Sequence, residues 1–128
     1  MLLKSYRENE GEFMNAEQFV DVIKKVVTES SVKGIESILK SPPGRRPRKD
    51  LLEMSKYYNE RADEEKEIIN KIIKLSVDNG VFGFFCVLDG VRAIEDGENK
   101  GTLSLIYKKD TEVVLNKDED LHDYYNAV

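Results

Sequence analysis

Apolar residues recur along this chain in short periodic sets separated by charge. Asn15-Ala16-Glu17-Gln18 offers a capping box, in which Asn15 accepts from the first turn and Gln18 reaches back. Phe19, Val20, Ile23, Val26 and Val27 follow at offsets 0, 1, 4, 7 and 8, one face of an amphipathic helix. The pattern predicts that this helix ends near Thr28 to Ser30. A shorter helical piece, Val32 to Lys40, places Ile35, Ile38 and Leu39 on one side, and Ser41-Pro42-Pro43-Gly44 stops it. Asp50 with Glu53 repeats the capping logic for a third helix through Leu51, Leu52, Met54, Tyr57 and Tyr58. Asp63 is placed to cap a fourth, with Glu64 and Glu65 at the positive end of its dipole. Ile68, Ile69, Ile72, Ile73, Leu75 and Val77 give that helix a wide apolar stripe, so it is expected to be central and buried.

Val81 to Leu88 carries no charge and includes three phenylalanines, the densest apolar block in the chain. As a strand it would pair with Val91 to Glu95 through an Asp89-Gly90 hairpin turn. As a helix it would extend the fourth helix, with Asp89-Gly90 as its stop. A short apolar run leaves both readings open. Short strands are then expected over Val91–Ile94, Thr102–Tyr107 and Glu112–Leu115. Asp118 to Asp120 would start a final short helix that turns Leu121, Tyr124 and Tyr125 inward.

These elements predict an α+β fold, with N-terminal helices packed against a small C-terminal antiparallel β-meander and a short final helix. Residues 1–14 show no clear period and read as a loose N-terminal segment, although Leu2, Leu3, Tyr6 and Phe13 can dock on the body. Residues 15–128 fit a single domain, since 128 residues allow one core of ordinary size. Nowhere is there an apolar run long enough to cross a membrane, and the first residues carry no secretory leader pattern. A cytoplasmic location is expected. Cys86 is alone, which excludes an internal disulfide or a cysteine-based metal site and fits a small buried hydrophobe.

The net charge of −5, from 20 Lys and Arg against 25 Asp and Glu, disfavours nucleic-acid binding over the whole surface. Against that background Arg45, Arg46, Arg48 and Lys49 stand out, four cations around Pro47 in a restricted loop. They are the candidate partner-binding residues, for an acidic protein surface or, alternatively, for nucleic acid or phosphate. The competing role is internal: guanidinium groups bracing helix-end carbonyls or carboxylates, expected for at least one of the arginines.

Taken together, PPGRRP, YYNERADEEKEII, VFGFFCVLDGVRAIEDG, KGTLSLIY, VVLN and LHDYYN resemble a family of short bacterial proteins of unknown function. The resemblance spans about residues 15 to 126 and implies a helical Val81–Leu88. It carries over no activity or site residue. Small acidic proteins of this kind also suggest, by analogy of size and charge alone, immunity proteins of bacterial toxin systems.

No catalytic constellation is legible. His122 lies beside Asp123, which a helix points elsewhere, so a terminal-helix histidine that hydrogen-bonds or simply faces water is expected. Asp118, Glu119, Asp120 and Asp123 lack the order of a calcium loop and are explained by a helix start. Asp89 and Asp96 precede glycines, as turns require. Phosphate-binding, hydrolase and zinc-protease motifs are missing from the sequence. No cofactor, metal or catalytic residue is therefore expected. The predicted function is non-enzymatic binding of a protein partner, with an unrecognised enzyme using Asp89, Asp96 or His122 as the remaining alternative. The oligomeric state is not legible.

Overall fold

A computed structural model describes residues 14–126 of the chain. The expectations for residues 1–13 lie outside the described residues. The fold is α+β: a set of helices, a two-stranded antiparallel sheet and a short C-terminal helix. The described residues divide into two compact units. One is Lys25–Gly80, and the other joins residues 14–24 to residues 81–126.

Helix α1, Ala16–Ile23, starts on the expected capping box. Asn15 Oδ1 accepts from the Gln18 N–H at 2.8 Å, and Gln18 Oε1 accepts from the Asn15 N–H at 3.2 Å. The chain does not leave the helix near Thr28. It passes through a π-helical stretch, Lys24–Glu29, directly into α2, Ser30–Lys40. The wider turn shifts the side-chain register, so Thr28 is buried while Val26 and Val27, in phase with α1 by sequence, face outward.

Helix α3, Lys49–Asn59, packs on α2. The expected Asp50–Glu53 box does not form: Arg48 occupies the N-cap position with no side-chain cap bond. The buried face of α3 is Ser55 and Tyr58 with half-buried Leu51, while Leu52, Met54 and Tyr57 are exposed. Its polar groups finish α2. Ser55 Oγ donates to the Leu39 carbonyl at 2.7 Å, and Asn59 Nδ2 donates to the Leu39 and Lys40 carbonyls at 3.2 and 3.3 Å. Those are the helix-end acceptors that need partners.

Helix α4, Asp63–Leu88, runs for 26 residues. Asp63 lies inside its first turn rather than capping it, and Glu65 Oε1 instead accepts from the Ala62 N–H at 2.8 Å. The expected buried stripe is only partly realised. Ile69, Ile73 and Val77 are half-buried, whereas Ile68, Ile72 and Leu75 are exposed. Val81–Leu88 is helical, which resolves the alternative left open by its composition.

The stop after Leu88 follows from backbone chemistry. Gly90 adopts φ +82°, its N–H bonds to the Val87 carbonyl at 3.1 Å, and the Val91 N–H reaches the Cys86 carbonyl at 3.0 Å. This paired pattern with a left-handed glycine is a Schellman stop. No strand forms over Val91–Ile94. The sheet is a hairpin of β1, Ile106–Lys108, and β2, Glu112–Val114, with Tyr107 opposite Val113. The strand expected from Thr102 is thus shortened to its last residues. Helix α5, Leu121–Asn126, follows.

One core cluster joins Ala16 and Val20 of α1, Phe85 of α4, Leu115, and Leu121 and Tyr125 of α5. Phe85 meets Phe19 and Tyr125 at ring-centroid distances of 6.3 and 5.7 Å. Cys86 is buried, as its composition suggests. Asn116 ties this unit together: its Nδ2 donates to the Leu88 and Leu103 carbonyls and its Oδ1 accepts from the Leu105 N–H.

Candidate functional site

Asp89 follows the last residue of α4, where a carboxylate meets the negative end of the helix dipole. Its side chain is nevertheless 0 % exposed. What holds it there is α5. Asp89 Oδ2 accepts from the His122 backbone N–H at 2.8 Å and lies 2.7 Å from His122 Nδ1. The carboxylate thereby caps a helix remote in sequence, whose start was expected at Asp118 to Asp120. Residues Asp118 to Asp120 precede α5 instead of forming its first turn.

His122 is largely buried, with its ring edge-on to Phe82 at 6.0 Å. Its Nε2 lies 3.4 Å from Asp123 Oδ1. The hydrogen bond to Asp89 raises the imidazole pKa above its ordinary value, partial burial opposes this, and the charges of Asp123, Asp89 and Asp120 add to the rise. Asp120, exposed, completes a group in which one donor atom each from Asp89, Asp120 and His122 lies within 4.8 Å of the others. Asp96 is exposed in the loop before β1 and is not among the residues gathered here. The described contacts of His122 include no hydroxyl or thiol that it could activate.

The basic loop takes a different form from the brace expected of at least one arginine. Arg45, Arg46, Arg48 and Lys49 are all exposed. Arg48 forms a two-pronged pair with Asp50 at 2.5 and 3.1 Å, both side chains more than half exposed. The α2-end carbonyls of Leu39 and Lys40 are taken by Ser55 and Asn59 of α3.

The unit Lys25–Gly80 has a thin interior. Among its described residues the buried hydrophobics are Leu39 and Tyr58. On α4 the exposed Ile68, Ile72 and Leu75 recur at helical spacing and are 54, 56 and 69 % exposed. The unit also concentrates positive charge, holding 12 of the 20 Lys and Arg and 10 of the 25 Asp and Glu. Sequence periodicity had assigned the stripe to a core. The Asp89–His122 pair, 33 positions apart, and the Asn116 bracket were invisible to a local reading.

No protein-family model matches the chain, and no curated protein or solved structure matches it either.

Proposed function

We propose that this chain is a non-catalytic binding protein whose helical unit, Lys25–Gly80, docks a protein surface with an apolar centre and an acidic rim. The observation that carries the reading is the exposed row of Ile68, Ile72 and Leu75 on a unit with few buried hydrophobics. Contiguous apolar side chains left in water mark interaction surfaces, because covering them restores the favourable term that folding alone leaves unused. Charge supports the choice of partner. Lys71 lies beside the row on α4, where Lys74 is already paired with Asp78, and Arg45, Arg46 and Lys49 add exposed cations to the same unit beside the Arg48–Asp50 pair. Such a field steers an acidic surface and repels a basic one.

The test is recovery of tagged full-length chain from its source cells, with and without nuclease, beside the double variant Ile72→Glu/Leu75→Glu. A nuclease-resistant, stoichiometric protein of acidic surface, lost with the variant, supports the reading. Nuclease-sensitive recovery overturns it in favour of nucleic acid. Concentration-dependent self-association of the purified chain, abolished by the same variant, overturns it in favour of a second copy as the occupant.

A further inference from the structure

We propose that Asp89, Asp120 and His122 form a binding site for a divalent first-row transition ion. Their donor atoms lie within 4.8 Å of one another and come from two separately fixed segments. The Schellman stop of α4 sets Asp89, and the entry to α5 sets Asp120 and His122. Metal–ligand lengths of about 2.0–2.2 Å place neighbouring donors roughly 3–4 Å apart. A donor spread of at most 4.8 Å therefore needs only a small closure, and Asp120, exposed, is a side chain with room to make it.

Asp89 provides an independent reason for a cation. Its side chain is wholly buried, yet Oδ1 has no hydrogen-bond partner among the described residues. Removing a carboxylate oxygen from water with nothing to replace the lost donors is unfavourable. Both bonds from His122 go to Oδ2, so the imidazole, charged or neutral, leaves Oδ1 unanswered. A metal ion bound by this carboxylate answers it.

The donor set decides the class of ion. An imidazole nitrogen (here Nδ1, the ion displacing the proton that it shares with Asp89) with two carboxylates suits zinc, manganese or iron(II), whereas calcium and magnesium favour shells made of oxygen alone. Three protein ligands leave coordination positions for water, and Asp123 Oδ1, 3.4 Å from His122 Nε2, faces the other ring nitrogen, where it can hold the Nε2–H tautomer.

Calorimetric titration of chelator-treated full-length chain with zinc, manganese, calcium and magnesium chlorides tests this. One equivalent of zinc or manganese is expected to bind saturably and more tightly than calcium or magnesium. Asp120→Asn is expected to weaken that binding roughly tenfold or more while leaving the metal-free Tm unchanged, because Asp120 is exposed. The imidazole nitrogen resonances of His122 in the unaltered chain give a second readout and are expected to shift on zinc addition. Absence of saturation at millimolar metal, tighter binding of calcium, undiminished binding by the Asp120 variant or unmoved His122 resonances would each overturn the proposal.

Discussion

Asp89 Oδ2 faces two nitrogens of one residue, the backbone N–H and the Nδ1 of His122, at 2.8 and 2.7 Å. One carboxylate thus joins the stop of α4 to the start of α5, so its removal leaves a helix end uncapped and the imidazole Nδ1 without its partner. Asp89→Ala is expected to destabilise the metal-free protein by about 1.5–3 kcal/mol, the range for hydrogen bonds to a charged group. Urea denaturation at an unchanged slope measures it. A midpoint equal to wild type would show that the pair contributes nothing.

The same pair gives the metal-free chain a signed pH dependence. The folded imidazole has its pKa raised above the ordinary 6.5, first by the Asp89 hydrogen bond. Its contribution to stability is then complete below about 6.5 and is lost as pH rises through the folded value. An NMR titration of His122 is expected to show a midpoint above 6.5, and Asp89→Asn is expected to lower it. A midpoint at or below 6.5 in the unaltered protein contradicts the geometry.

Three glycines are expected to respond in opposite directions. Gly34 and Gly80 lie inside α2 and α4, and a Cβ added at either meets nothing within 4 Å. Alanine at each should raise stability by about 0.5–1 kcal/mol through helix propensity and a less flexible unfolded chain. Gly90 stands at φ +82°, so alanine there should cost about 1–2 kcal/mol. Thermal melts of the three variants read all three signs.

Hydrophobic substitutions should separate the core from the exposed row. Leu121 is fully buried within the cluster around Phe85, and Leu121→Ala is expected to cost about 2–5 kcal/mol. Ile72→Ser on the exposed face should change the stability of the free chain by no more than about 0.5 kcal/mol. Arg45→Ala/Arg48→Ala should leave Tm unchanged, since both arginines are exposed and brace no helix end. A large loss for Ile72→Ser or for the arginine pair would mean that these side chains are part of the folded interior.

Local chemistry was legible in the sequence, and relationships between distant residues were not. The Asn15–Gln18 box, the inward side of the last helix and the α+β class follow from local pattern, whereas Asp89-Gly90 suited a hairpin turn as well as the helix stop it forms. The π-helical turn at Lys24–Glu29 shows why periodicity fails further along: one wider turn rotates every later position, moving Val26 and Val27 outward and Thr28 inward. The stripe on α4 shows a different failure. An apolar face predicts that something covers it, but not that the cover belongs to the same chain. Asp89 is the third case, because a turn residue and a buried carboxylate look alike until His122 is brought to it.

Amide hydrogen exchange along α4 tests the proposed interface most directly, because one helix contains both a packed and an exposed segment. In the free chain, amides of Val81–Leu88, with Phe85 and Cys86 buried, are expected to exchange much more slowly than those around Ile68–Leu75. On addition of the captured acidic protein, the Ile68–Leu75 amides should slow by roughly tenfold or more, with Val81–Leu88 unchanged. Unaltered exchange over Ile68–Leu75 in a saturated complex would contradict the assignment of this face as the binding surface.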